Sequence, residues 1–412
     1  MLQLSRFSMG TGDRFGREGE AQIGAFQDLR AKGGEADIVW NKSNREHVLI
    51  GSTPADQAKA ASEAIRKTGW DGGWFIDADH ITMKTVDWFL PYCNFFTIDV
   101  AESIGKKASS ASCLSFLDRA AFLLKDSSAP VWVENADLES VADKFLAAIE
   151  EAGKTYRYIA ANKPKGSFVI ELSMDETDKP QTPAQVAAIL VAVAAEKIPI
   201  STFAPRFPGK FLKGIDYVGN TAEFFHTFEE EAKVLLWASE SLGLPKGLKL
   251  SVHSGSDKFK LYKGIHDITT RLGAGVHLKT AGTTWLEEIV GLAEAGGRGL
   301  SVAKRVYEQA YARIDELTAP YVNVVEIDSS SLPSPQIVAG WDSDTFVNAL
   351  RHELDSSTMQ SGMRQLMHVG FKIAAEMGKE YLDTLEESHE SVSRNVRYNL
   401  YARHLEDRKS VV

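Results

Sequence analysis

Apolar runs of four to six residues recur along the first 280 positions, and most of them stop in polar, chemically capable residues. Phe75-Ile76-Asp77-Ala78-Asp79-His80, Phe168-Val169-Ile170-Glu171-Leu172-Ser173 and Val276-His277-Leu278-Lys279 are representative. Short β-type runs separated by 10–20-residue helical patterns predict strand–helix units in a parallel sheet. The strands are expected at Arg6–Met9, Asp37–Asn41, Trp74–Asp79, Phe95–Val100, Phe168–Ser173, Ile198–Phe203, Leu248–His253 and Val276–Lys279. An extended sequel is expected at 48–51. Helices are expected over Glu18–Ala31, Ala55–Thr68 (capped by Ser52-Thr53-Pro54), Thr182–Glu196, Ala222–Leu242 and Lys263–Leu272. Eight such units fit a TIM-like (β/α)8 barrel, an α/β fold.

The stretch 101–165 is long for one crossover, so an inserted helical hairpin or lid is expected there. Beyond Gly296 the pattern turns helical, over Ser301–Leu317, Asp344–Leu354 and Ser361–Ser388. The expected organisation is a catalytic barrel over 1–300 and a helical extension over 301–412 that packs on it.

Composition narrows the function. A net charge of −10 over 412 residues argues against a nucleic-acid partner, which needs a basic field. Two cysteines, Cys93 and Cys113, make neither a zinc pattern nor a disulfide framework. No apolar run is long enough to suggest a membrane span, and the start shows no charged segment followed by an apolar signal core. The expected setting is cytoplasmic.

Such barrels place their chemistry at the carboxyl ends of the strands. Side chains alternate across a strand, so Asp77 and Asp79 share a face, as do His277 and Lys279, and Thr97 and Asp99. His253, Gly255 and Asp257 share one if the extended geometry persists. One barrel mouth is therefore expected to gather Asp77, Asp79, Asp99, Glu171, His253, Asp257, His277 and Lys279, with His80 at the end of its strand. So many charges cannot be desolvated unless they pair or bind a cation. Imidazoles with carboxylates suit a divalent transition metal (Zn, Mn, Ni or Co), with His80, His253 and His277 as expected ligands. The carboxylates are ligands or acid/base groups.

Gly10-Thr11-Gly12-Asp13-Arg14-Phe15-Gly16 nearly matches a dinucleotide fingerprint, with Asp37 at a suitable distance. Its third glycine is one position late, and eight units replace the two mononucleotide halves. We read it as a tight loop whose amides and Arg14 meet an anionic or polyhydroxylated substrate. Asn41-Lys42-Ser43-Asn44-Arg45 is a donor-rich loop or a solvated turn. Asp13, Arg14, Asn41, Lys42, Arg45 and Lys258 are the candidate substrate contacts. His47, His226, His266, His368, His389 and His404 fall in helical or linking segments and are read as structural or exposed. His352 is a weaker supporting or lid candidate.

The segments Gly-Thr-Gly-Asp-Arg-Phe-Gly (10–16), Val-Trp-Asn-Lys-Ser-Asn-Arg-Glu-His (39–47), Phe-Ile-Asp-Ala-Asp-His-Ile (75–81), Val-His-Ser-Gly-Ser-Asp-Lys-Phe (252–259) and His-Leu-Lys-Thr-Ala-Gly-Thr (277–283) together resemble the tagaturonate epimerase family. That family is similar to a metal-dependent group acting on tagatose and fructose. The resemblance implies interconversion of D-tagaturonate and D-fructuronate with a divalent metal, the substrate being a small ketouronate or ketose. The two ketouronates differ at the carbon β to the ketone, which α-deprotonation cannot invert. Transient oxidation by a nicotinamide or retro-aldol cleavage and re-addition remain, and the missing dinucleotide fold favours the second. Asp79 or Glu171 is then expected to take the hydroxyl proton, with Asp257 serving the opposite face. Lys279 is expected to meet the substrate carboxylate or developing oxyanion, a Schiff base being its rival role. A metal-dependent sugar aldolase or isomerase on the same barrel is the alternative activity, and a non-catalytic sugar-binding protein is a further one.

Overall fold

A computed structural model of the chain describes residues 2–123, 137–280, 282–353 and 356–406. Eight parallel strands close into a barrel in sequence order. They are β1 (Phe7–Thr11), β2 (Asp37–Ser43), β3 (Trp74–Ile81), β4 (Phe95–Asp99), β5 (Val169–Ser173), β6 (Ile200–Ala204), β7 (Lys249–His253) and β8 (Val276–Lys279), with β8 pairing back onto β1. This is the expected TIM-like architecture.

The interior is layered along the barrel axis. Val39, Phe75, Phe95 and Val169 form an apolar plug near the amino ends of the strands, with Leu2 and Leu4 packed against it. Two residues further along the same strands the inward positions are Asn41, Asp77, Thr97 and Glu171, all buried. The change from apolar to ionisable within one pleat is what places the chemistry at the carboxyl end.

Several local features differ from expectation, among them the helix expected over Ser301–Leu317, which is two, Gly297–Ala312 and Ile314–Thr318, and the one expected to Leu354, which ends at Leu350. β1 runs through Gly10 to Thr11, because Gly10 is inside the sheet beside β8, where a Cβ would come within 2.9 Å of the Lys279 side chain. β2 likewise continues to Ser43, and the expected extended sequel is a helix, Asn44–Ile50. Its capping box explains this: Ser43 accepts from the Glu46 amide, and Glu46 accepts from the Ser43 amide. The expected helix over Ser361–Ser388 is three, Ser361–Val369, Phe371–Met377 and Lys379–Glu387. Gly378, at φ 56° and ψ −123°, takes a conformation closed to helices and to most other residues.

Of the insertion, Ser110–Leu123 and the run from Leu138 to Asn162 are helical. Its middle, 124–136, lies outside the described residues, as do Leu354, expected to end a helix, and Ala281 of the last family-like segment. The carboxyl-terminal helices lie against the final barrel helix, Gly282–Ala295. Ser391 donates to the Gly291 carbonyl at 2.9 Å, and a Cβ at Gly291 would lie 2.5 Å from the Val392 Cα. Trp285 donates to the Met367 carbonyl at 2.7 Å, and Arg397 forms an ion pair with Asp28 at 2.6 Å. No helix among the described residues is long and apolar enough to cross a membrane.

Candidate functional site

Lys279, the last residue of β8, is the hub of the upper layer. Its ammonium lies 2.9 Å from Asp77, 2.8 Å from Asp79 and 2.8 Å from Glu171, and donates to the Thr97 hydroxyl at 2.6 Å. Burial alone would lower its pKa, but the three carboxylates outweigh it and hold the pKa well above the usual lysine value. Glu171 is equally engaged: besides Lys279 it meets His253 Nε2 at 2.8 Å and accepts from Thr202 at 2.7 Å. Burial pushes its pKa up, yet Lys279 and His253 keep it well below the ordinary carboxylate range.

Above this hub two histidines converge on one carboxylate. His80 Nε2 lies 3.5 Å from Asp175 Oδ1, and His253 Nδ1 lies 3.0 Å from Asp175 Oδ2. One donor atom from each of the three lies within 4.8 Å of the others. The far nitrogen of each ring is held by a carboxylate, His80 Nδ1 by Asp79 at 2.9 Å and His253 Nε2 by Glu171 at 2.8 Å. Carboxylate–histidine pairs of this kind orient and enrich imidazoles that bind metals. His80 reaches its place by a backbone device. It has φ 53°, unusual for a residue with a side chain, and the β3–β4 register shifts between Ala78 and Ile81. Without that bulge His80 would face away from its neighbour Asp79.

The electrostatics point the same way. Asp77, Asp79 and Glu171 crowd around one ammonium, and Asp175 adds a fourth carboxylate beside the two imidazoles. Burial opposes charge on His253, but Asp175 and Glu171 lift its pKa to about 9, and His80 is raised well above its usual value by Asp79 and Asp175 against the same burial. The surroundings favour positive charge where the ring nitrogens converge, and two imidazoles with a carboxylate are a donor set that suits a divalent transition ion.

This cluster opens into a cavity of about 680 Å³ at the barrel mouth, large enough for a sugar acid. Asp79, His80, Asp175, His253 and Lys279 form its floor-side lining, together with Asp99 and Glu176. Arg14, Asn41, Arg45, Lys213, Tyr321 and His368 also line it.

The structure thus brings together Asp79, Glu171, His80, His253 and Lys279, and puts Arg14, Asn41 and Arg45 on the cavity wall. It separates the others. His277 lies one pleat below Lys279, bonded through Nδ1 to Ser8 Oγ at 2.9 Å and beside the Phe95 ring, outside the convergent trio. Asp257 faces away into a sealed cluster, accepting from Thr283 and from Arg364, each at 2.9 Å. The cause is the turn at Gly255, φ 66°, which ends the alternation that would have kept Asp257 on the His253 face. Lys258 is buried with its ammonium on Ser256 and the Asp257 carbonyl, and Lys42 donates to the Arg14 carbonyl at 2.9 Å. Asp13 accepts the Arg17 and Glu18 amides, closing the loop that presents Arg14.

Sequence reasoning missed Asp175, Lys213 and His368. Asp175 follows β5 by two residues, and its acidic side chain was the visible signal. Lys213 is in the long loop after β6, and His368 comes from the carboxyl-terminal helices, where no strand-end rule applies.

A curated relative, a tagaturonate/fructuronate epimerase from Thermotoga maritima, is 29% identical over 300 residues, covering 69% of this chain and 59% of that protein's length. A glycerol complex of the fructuronate–tagaturonate epimerase from Cohnella laeviribosi superposes with a TM-score of 0.75 at 23% identity, over 97% of this chain and 82% of that one. The native form of the same Cohnella protein gives 0.73 at 23%, over 98% and 82%. Residues 1–407 match the family model described as UxaE, tagaturonate epimerase, and the chain belongs to that family.

Proposed function

We propose that this chain interconverts D-tagaturonate and D-fructuronate at the barrel mouth, with a divalent cation held by His80, Asp175 and His253. Support for the substrate comes from family membership and from the activity named for the Thermotoga relative. The observation that carries the metal is the convergence of three donor atoms within 4.8 Å, each imidazole backed by its own carboxylate. Zn, Mn, Ni and Co all suit this donor set. Bound there, the cation would supply Lewis-acid polarisation of the ketone.

The chain's own residues then divide the work. Lys279 keeps Asp77, Asp79 and Glu171 in place, so that Asp79 orients His80 and Glu171 orients His253. On this reading Asp79 and Glu171 are positioning residues, because their oxygens are already committed, and Asp257 plays no part in proton transfer. Carboxylates free of the lysine, Asp99 and Glu176, line the cavity and take the acid/base roles. The β hydroxyl loses its proton and the bond between the carbons α and β to the ketone breaks. The ketone half becomes an enediolate and the other half an aldehyde. Rotation of the aldehyde and re-addition on its other face reform the bond and return the proton, with no net redox change. Gly10 lies inside β1 against β8, so it does not serve as the first turn glycine of a dinucleotide fingerprint.

Carbon-13 at the cleaved bond should give an isotope effect on turnover, and the β hydrogen should stay on carbon without exchange. A large primary deuterium effect at that C–H bond would contradict the retro-aldol route and support transient oxidation.

A further inference from the structure

Cleavage between the α and β carbons leaves the substrate carboxylate on the three-carbon aldehyde fragment. That fragment must turn over without leaving, and the bond that held it to the ketone half is gone. The cavity wall carries groups suited to hold it. Arg14 is only 5% exposed, yet its Nε and Nη1 have no hydrogen-bond partner; Nη2 alone pairs with Glu46, at 3.0 Å. Its guanidinium plane is fixed 4.4 Å from the Phe371 ring centroid. Unpaired buried guanidinium donors are costly unless a ligand meets them.

Two more cations share this wall. Arg45 and the Lys213 ammonium lie 5.6 and 5.4 Å from the Tyr321 ring centroid. The Lys213 amide donates to the Val324 carbonyl at 2.8 Å, which ties the β6 loop to the segment bearing Tyr321. Burial, and then repulsion from Arg14 and Arg45, lowers the Lys213 pKa despite the nearby Glu46. Asp79 and Glu176 lie farther off, but among the described residues only Arg14 of the three has a carboxylate within ion-pair distance, an arrangement that an added anion relieves.

We propose that Arg14, Arg45 and Lys213 form an anion-binding pole that keeps hold of the substrate carboxylate while the carbon–carbon bond is open. The role rests on the retro-aldol reading above. The pole makes the fragment pivot about its carboxylate, so the enzyme epimerises where an untethered site would release a triose and a three-carbon aldehyde acid. It also sets the preference for uronates over neutral ketoses.

The test uses manganese-loaded full-length enzyme, wild type, Lys213→Met and Lys213→Arg. Two quantities are measured: the ratio of fructuronate to fructose affinity, and the free three-carbon aldehyde acid released per turnover, caught by a carbonyl trap. Loss of one charge-assisted contact should lower the affinity ratio in Lys213→Met about tenfold or more. Released aldehyde acid should rise in the same variant, and Lys213→Arg should restore both. An unchanged ratio in a Lys213→Met protein that retains its manganese would overturn the pole. A lowered ratio with no released fragment, in an enzyme whose wild type shows the carbon-13 effect, would overturn the tether. Absence of the carbon-13 effect in wild type would instead remove the retro-aldol reading itself, and the tether with it, while the affinity ratio still judges the pole.

Discussion

Among the described residues, one aspartate stands between two histidines in two places, and they behave in opposite ways. At the mouth, Asp175 stands between His80 and His253. Behind the wall, Asp257 stands between His352 Nδ1 and His404 Nε2, each at 3.4 Å. The mouth cluster is backed by carboxylates and opens onto the cavity, with His80 and Asp175 both 23% exposed. The inner cluster has Arg364 already on Asp257 at 2.9 Å, and both side chains are fully sealed. The histidines register this difference. Carboxylates overcome burial and raise the pKa values of His80 and His253, whereas burial lowers those of His352 and His404, with arginines nearby adding to the effect. Identical residue types therefore make a candidate cation site in one place and a sealed, arginine-paired cluster in the other. What decides is the charge of the surroundings and the presence of open space.

The largest expected effect tests this contrast directly. Asp175→Asn should abolish metal binding and cut turnover by more than the roughly 100-fold typical of losing a group behind a ligand. Asp257→Asn should leave metal content intact but destabilise the fold by about 3–5 kcal/mol, since it strands a buried arginine. Denaturant unfolding and metal analysis of both variants measure this; metal loss in Asp257→Asn with normal stability would reverse the assignment. A smaller effect is expected from Glu171→Gln, which weakens the support behind His253: metal affinity or turnover should fall roughly 10- to 100-fold. A fall in turnover with a shifted pH profile and unchanged metal affinity would point instead to Glu171 as the base.

The smallest effect concerns His277, which burial holds near a pKa of about 3, against the ordinary 6.5. A histidine with a depressed folded-state value stabilises fully above 6.5, and that stability is lost as pH falls towards 3, because the unfolded chain binds the proton first. The loss from this residue should reach about 1.4 kcal/mol by pH 5.5. His277→Gln should flatten that part of the stability curve, measured by urea unfolding at pH 7.5 and 5.5. An unchanged slope would mean that His277 is not held neutral.

Strand positions and inward faces were legible because alternation with a period of two is a local property. Asp77, Asp79, Glu171, His253 and Lys279 all fell where that period put them. It fails where the backbone departs from extended geometry. His80 faces inward because of a bulge that nothing in Asp-Ala-Asp-His announces, while Gly255 turns Asp257 out of the site. His277 occupies the expected face at the wrong height, since the period says nothing of where the barrel interior gives way to the cavity. Lys213, Tyr321 and His368 come from loops and helices distant in sequence, and only tertiary packing brings them to the wall.

The proposed cation site is His80, Asp175 and His253. Manganese titration of chelator-stripped protein, followed by calorimetry or paramagnetic resonance, measures it. Binding of one ion per chain is expected in the wild type and in Asp257→Asn, and its loss in Asp175→Asn. Undiminished binding in Asp175→Asn, or full epimerisation by demonstrably metal-free enzyme, would contradict it.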